Sequence, residues 1–143
     1  MASFSHTISV PKAPGDVFPW LLEEDKVPKW TTRLQAYDVV GGGAIARGTR
    51  IRQVLTVSGQ ALDIEIEITR FEPPGFAESR FSTNGMDVET TYALRANGDG
   101  TELTQTLDGK ANGFKARLLL PVVQPKLEEK IAEDLARLRE LLS

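Results

Sequence analysis

The chain has 143 residues and a formal charge of −3, and hydrophobic residues make up 41% of it. This length predicts one domain, residues 1–143, with enough apolar residues to bury a core without covalent cross-links. The lack of cysteine excludes disulfides and thiolate chemistry, the single histidine excludes a multi-histidine metal site, and the acidic balance argues against nucleic-acid binding.

The sequence carries no sign of a membrane or secretion signal. No apolar run approaches the ~20 residues that a transmembrane helix needs, and the first ten residues alternate polar and apolar. We therefore expect a cytoplasmic protein without stable membrane insertion, as a monomer or a weak dimer. No motif indicates a cofactor or a metal ion, and none is expected.

The first third of the chain predicts a strand followed by two short helices. Residues 3–10 alternate strictly and predict a half-buried strand. Its apolar face consists of Phe4, His6, Ile8 and Val10. Residues 14–22 and 25–31 have helical spacing, and the second of these segments carries Trp30, which we expect to cap one end of the core.

The rest of the chain predicts six strands and a long helix. Alternation continues from residue 34 to residue 110 and is interrupted only by turn residues. Residues 118–142 carry a leucine-rich stripe at helical spacing. Pro121 and Pro125 lie in the first half of this helix and predict a late start or a kink there.

Turn residues set the register of the predicted sheet. Residues 57–60 and 83–86 predict two-residue hairpin turns, and residues 72–75 and 97–100 predict four-residue loops. Counting back from these turns places opposite charges across from each other: Arg52 and Glu65, Arg50 and Glu67, Glu67 and Arg80, Arg80 and Glu89, Arg95 and Glu102. Such pairs stabilise a sheet, so this face is predicted to be the solvated outer face of an antiparallel sheet.

The opposite face of the predicted sheet is mostly large and apolar. It consists of Ile51, Gln53, Leu55, Leu62, Ile64, Ile66, Ile68, Ala77, Ser79, Phe81, Val88, Thr90, Tyr92, Leu94, Leu103, Gln105 and Leu107. The stripe on the last helix is the one apolar surface long enough to cover it. The predicted fold class is therefore α+β, a strongly twisted antiparallel sheet wrapped around one long helix.

Six segments, in this order and spacing, carry a family resemblance. They are FSHTISVPKAPGDVFPWL from Phe4, VPKW ending at Trp30, GTRIR, ITRFEPPG, GDGTELT and the terminal LARLRELL. Through them the chain resembles the START-like, pollen-allergen-like helix-grip superfamily (SRPBCC), in its polyketide cyclase/dehydrase-like branch. The resemblance implies a helix-grip fold of about seven strands, in the order β-α-α-β6-α. It also implies a cavity that holds a lipid, polyketide, hormone or other hydrophobic small molecule, but it assigns no catalytic residue.

Polar residues on the predicted inner face are consistent with such a cavity. A buried polar group without a partner costs roughly 1–3 kcal/mol, and water or the polar end of a ligand would satisfy these groups. Alternatively, they bond one another or lie near a sheet edge. The predicted ligand-binding residues are Trp30, Ile51, Gln53, Leu55, Ile64, Ile66, Ser79, Phe81, Thr90, Tyr92, Gln105, Leu118 and Val122.

Few residues qualify for acid–base chemistry. His6 and Tyr92 are the catalytic candidates, although a histidine at a strand end more often bonds a neighbour. Arg70 has the inward parity after Ile68 and would anchor an anion at the cavity mouth unless it bends back to solvent.

Two further patterns have ordinary interpretations. The glycine spacing of residues 43–49 imitates a phosphate loop, but Thr49 replaces the lysine and a strand follows, so a phosphate site is rejected. The pairs Lys130–Asp134 and Glu133–Arg137 predict a solvated helix face.

The predicted function is binding, transport or presentation of a small hydrophobic molecule such as a lipid, quinone or polyketide. An enzyme of the polyketide cyclase, aromatase or dehydratase type is the first alternative. It is disfavoured because the predicted inner face contains no Asp or Glu. A protein-interaction module of the chaperone-activator kind is the second alternative and predicts an exposed apolar patch.

Overall fold

The computed structural model describes residues 2–57 and 59–143. Within them, one antiparallel sheet contains seven strands in the order β1-β7-β6-β5-β4-β3-β2. The strands are β1 (Ala2–Val10), β2 (Leu34–Val39), β3 (Arg50–Val57), β4 (Gln60–Glu72), β5 (Phe76–Thr83), β6 (Met86–Asn97) and β7 (Gly100–Ala111). The last six strands therefore form a meander, and β1 pairs with the final strand of it.

The helices lie where the sequence predicts them, and the α+β helix-grip fold is confirmed. Helix α1 (Pro14–Val17) and two 3₁₀ turns, Phe18–Leu21 and Val27–Lys29, connect β1 to β2. These helical segments are shorter than predicted. Pro19 lies at the start of the first 3₁₀ turn and has no backbone N–H to continue the α-helical ladder.

The C-terminal helix α2 (Phe114–Leu141) starts earlier than predicted and runs through both prolines. A proline in a helix frees the carbonyl four residues before it. For Pro121 and Pro125 these carbonyls belong to Arg117 and Pro121, which are exposed, so water can satisfy them. The expected late start is therefore wrong.

The predicted register of the charged outer face is confirmed. All five opposite-charge pairs are Cα partners in the sheet. Arg95 Nη2 lies 2.6 Å from Glu102 Oε1, its direct partner. Arg52 instead contacts the diagonal neighbour Asp63, with 2.7 Å between Nη2 and Oδ2. These pairs are exposed and screened by water, so they add little to the stability of the fold and their main effect is on strand alignment.

The two predicted hairpin turns have the predicted pairing. Thr83 pairs with Met86, and positive φ angles of 51° at Asn84 and 78° at Gly85 match the turn type that suits a twisted hairpin. Val57 pairs with Gln60, and Ser58 lies outside the described residues.

The two predicted four-residue loops are shorter in the structure. Asn97 pairs with Gly100, which leaves a two-residue turn, and Glu72 pairs with Phe76, which leaves three residues. The shorter turn at residues 97–100 leaves the predicted register of β6 and β7 intact. The shorter loop after Glu72 results from an extra residue earlier in β4.

That extra residue forms a β-bulge between Ile68 and Arg70. Ile68 is fully buried, and beyond the bulge it is Phe71 that packs on the core. Arg70 is exposed, and its Nη2 lies 2.9 Å from Glu72 Oε2. The prediction that Arg70 points inward is therefore wrong, because the bulge inverts the alternation of faces.

The core lies between the inner face of the curved sheet and α2. The helix contributes its leucine-rich stripe, in which Leu135 and Leu138 are fully buried. From the sheet, Ile51, Ile68 and Leu103 are fully buried as well. Toward the middle of α2 this packing opens into a cavity.

Candidate functional site

The cavity lies between the inner face of the sheet, the two 3₁₀ turns and the middle of α2, and has a volume of about 110 Å³. Most of its wall is aliphatic or aromatic. The polar side chains in the wall are Thr31, Tyr37, Gln53, Ser79, Thr90, Tyr92, Gln105, Lys130 and Asp134. The site is therefore apolar with a set of convergent polar groups.

The structure places most of the predicted ligand-binding residues in this wall: Trp30, Gln53, Leu55, Ile64, Ile66, Ser79, Phe81, Thr90, Tyr92 and Gln105. Ile51 is fully buried in the core outside the wall. Leu118 and Val122 are 63% and 60% exposed, so their placement in the cavity is corrected. A helix turns about 100° per residue, and these two residues lie opposite the buried Ala116 and Leu120.

Sequence reasoning missed the two ionic groups of the cavity. Lys130 and Asp134 are 8% and 4% exposed, so the interpretation of this pair as a solvated face is wrong. Lys130 Nζ donates a hydrogen bond to Asp134 Oδ2. Both residues lie three positions after a core residue, Leu127 or Ile131, and this helical spacing is the signal that could have identified them.

The Asp134 carboxylate is held by three donors. Its Oδ1 accepts hydrogen bonds of 2.7 Å from both the backbone N–H and the hydroxyl of Thr32, and its Oδ2 accepts the bond from Lys130. These contacts attach the segment before β2 to α2. Burial lowers the pKa of Lys130, and the charge of Asp134 opposes that shift.

Two tyrosine hydroxyls complete the polar part of the wall. Tyr37 donates a 2.5 Å hydrogen bond to the carbonyl oxygen of Leu22, and Tyr92 OH lies 3.4 Å from Gln105 Nε2, which donates to it. Burial raises the pKa of Tyr37. Burial also raises the pKa of Tyr92, although part of the Tyr92 side chain remains exposed. Tyr37 could not be identified from the sequence, because a register shift between Leu34 and Ala36 breaks the alternation of β2.

Both tyrosines of the chain lie in this wall, which leads to a prediction at alkaline pH. In an unfolded chain a tyrosine loses its proton near pH 10, and the raised pKa means that the folded state retains it. This stabilisation is complete below pH 10 and is lost as the pH rises further. Each tyrosine should contribute a fall of about 1.4 kcal/mol per pH unit in the free energy of unfolding.

Absorbance at 295 nm measures tyrosinate directly. We expect no tyrosinate until the protein unfolds, and the Tyr37→Phe variant should lose stability less steeply above pH 10. A tyrosinate signal near pH 10 from folded protein would contradict the burial of these hydroxyls.

His6 lies beside the cavity but does not line it. It is half-buried, stacks on Phe4 with 6.5 Å between ring centroids, and is the Cα partner of Gln105 in β7. On its other side Gln105 is paired with Tyr92, so the three residues form a row across the sheet. Of the two catalytic candidates, Tyr92 is the one in the cavity wall.

A larger open groove of about 740 Å³ lies on the other side of Leu22, which lines both spaces. Phe18, Ile45 and Phe71 form part of its apolar wall. The remaining lining residues are Pro19, Glu23, Glu24, Asp25, Val39, Gly42, Gly43, Ala44 and Pro73. The three carboxylates disfavour an anionic ligand beside this glycine segment.

The outer side of α2 carries an apolar stripe. Phe114 is 76% exposed and continues the stripe of Leu118 and Val122. This is the kind of surface that an interaction module requires. None of the described helices is long and apolar enough to cross a membrane. Within the described ranges, no group of three or more His, Cys, Asp or Glu residues is arranged to hold a metal ion.

Solved structures of other proteins share this fold. TTHA0849 from Thermus thermophilus is 18% identical, with a TM-score of 0.80 and coverage of 99% of this chain and 97% of that one. A START superfamily protein from Mycobacterium smegmatis is 14% identical, with a TM-score of 0.75 and 99% coverage of both chains. The di-domain ARO/CYC protein BexL of the BE-7585A biosynthetic pathway is 16% identical, with a TM-score of 0.74 and coverage of 98% of this chain and 46% of that one.

These identities are low, so the structural matches show the fold alone. No curated protein matches the sequence. The family described as "Polyketide cyclase / dehydrase and lipid transport" matches residues 1–143. This match confirms the resemblance to the polyketide cyclase/dehydrase-like branch of SRPBCC and supports a ligand-binding or cyclase role. The chain therefore belongs to the polyketide cyclase / dehydrase and lipid transport family.

Proposed function

We propose that the protein binds a small, largely apolar molecule in the cavity between the sheet and α2. The observation that carries this proposal is the convergence of polar side chains in an otherwise apolar wall. Tyr92 and Gln105 come from adjacent strands, and Lys130 comes from the helix that covers them. Ligand sites typically combine an apolar wall with a few polar groups that fix orientation.

The size of the cavity limits the part of the molecule that it encloses. Typical ligand pockets measure about 300–1,000 Å³, and an apolar cavity of about 150 Å³ accommodates benzene. A space of about 110 Å³ is smaller than that benzene cavity, so it suits a short chain, or a single ring that extends past Leu22 toward the outer groove. A lipid, quinone or polyketide would place its remaining length past Leu22, in the outer groove.

Native mass spectrometry of the protein purified from its own host tests the proposal. We expect a co-purifying small molecule, and we expect the Thr90→Leu variant to lose it because the larger side chain fills the cavity. Thr91→Leu is the matched control: Thr91 is the next residue of β6 and has the outward parity. Equal retention by both variants, or no bound molecule in any sample, would contradict binding in this cavity.

The cavity also favours a second candidate, a cyclase or dehydratase. Tyr92, Lys130 and Asp134 are titratable groups in the cavity wall. A positioned acid or base typically increases the rate of a reaction by roughly 10²–10⁴-fold. Against this role, the Asp134 carboxylate already accepts three hydrogen bonds. Loss of water from a β-hydroxyketone, followed by NMR, tests the candidate. If the protein is such an enzyme, it should dehydrate the β-hydroxyketone, and the Tyr92→Phe variant should do so at least about 100-fold more slowly.

A further inference from the structure

Lys130 has unused hydrogen-bonding capacity inside the cavity. An ammonium group carries three N–H donors. Among the described residues, Asp134 is the one acceptor bonded to Lys130 Nζ. Only 10% of the Lys130 side chain is exposed, so solvent has little access to it. A molecule in the cavity is therefore in a position to supply the missing acceptors.

The charge of Lys130 is already balanced. Asp134 is equally buried and neutralises the ammonium group within the same helix. A further cation on the segment before β2, Arg33, lies at the surface and pairs with Glu129 and Glu133, at 3.9 Å and 3.3 Å. The ionic groups facing the cavity therefore sum to zero.

We propose that the bound molecule presents an uncharged oxygen acceptor, such as a carbonyl, ether or hydroxyl oxygen, to Lys130 Nζ. This inference rests on the proposed function and specifies the ligand class of the same cavity. A hydrocarbon would leave two donors of Lys130 unsatisfied. A carboxylate or phosphate would bring a second anion next to Asp134 with no cation to balance it, and an unpaired buried charge is strongly unfavourable.

Three probes of similar size test this inference: acetophenone, ethylbenzene and benzoate. Each is titrated into ¹⁵N-labelled protein, and binding is followed at the indole N–H of Trp30, which lines the cavity. We expect acetophenone to bind about fivefold or more tightly than ethylbenzene, and benzoate to bind more weakly than either. The spectrum of each complex also shows whether the protein remains folded.

A double variant, Lys130→Met with Asp134→Asn, removes both charges and retains an oxygen that accepts from Thr32. It should bind ethylbenzene as tightly as the wild type does, or more tightly, and should lose the preference for acetophenone. The ranking in the wild-type protein decides the claim on its own if this variant does not fold.

The outcomes separate the two proposals. Equal affinity for acetophenone and ethylbenzene, or tightest binding of benzoate, would overturn the uncharged-acceptor inference and leave cavity binding intact. No response of Trp30 to any of the three probes would overturn both.

Discussion

Replacement of Asp134 by alanine is expected to lower the free energy of unfolding by about 3–5 kcal/mol. The substitution leaves the ammonium group of Lys130 buried without its counter-ion, and burial alone already lowers the pKa of this group. It also removes the acceptor for the backbone N–H and the hydroxyl of Thr32. Urea denaturation at neutral pH measures the loss.

Two variants serve as controls for this prediction. Glu133→Ala alters the adjacent carboxylate, which is exposed and pairs with Arg33, and should cost less than about 1 kcal/mol. Removing both buried charges with Lys130→Met and Asp134→Asn should restore most of the stability, because no uncompensated charge remains and the amide oxygen can still accept from Thr32. A loss for Asp134→Ala no larger than that for Glu133→Ala would show that the pair is not buried.

Truncation of Leu138 to alanine is expected to cost about 2–5 kcal/mol, since its side chain is fully buried between α2 and the sheet. Leu118→Ala removes the same atoms from the same helix. Leu118 is 63% exposed, so this control should change stability by no more than about 0.5 kcal/mol. Thermal and urea unfolding of the two variants give the comparison.

This pair of variants also tests the orientation of α2. The sequence alone suggested that Leu118 lines the cavity, whereas the structure places it on the outer side of the helix. Similar losses for Leu118→Ala and Leu138→Ala would contradict the observed orientation. A large loss at Leu138 alone would support it.

Local turn chemistry explains why so much of the sheet could be predicted. A hairpin turn fixes the register of both its strands, and Asn84 with Gly85 supports one geometry well. The bulge after Ile68 could not be predicted in this way. A bulge adjusts the curvature of a sheet around its partner helix, and that requirement is not encoded in a few neighbouring residues. The inward parity that alternation gives Arg70 is therefore wrong.

The site was predictable on the sheet and less so on the helix. The inward positions of Tyr92 and Gln105 could be predicted from the alternation of side chains along a strand, because each residue of a strand points to one face of the sheet or to the other. On α2, Lys130 and Asp134 carry the alternating charges of an ordinary solvated surface. Their burial is tolerated because each neutralises the other and Thr32 satisfies the carboxylate. Only the arrangement of all three residues in space reveals this.

A crystal structure of the protein soaked with acetophenone shows where a small ligand binds. We expect density for one ring inside the cavity, between Trp30 and Tyr92, with the carbonyl oxygen within hydrogen-bond distance of Lys130 Nζ. Density for the ring only in the outer groove beside Phe71, with the inner cavity free of it, would rule out ligand binding at Lys130.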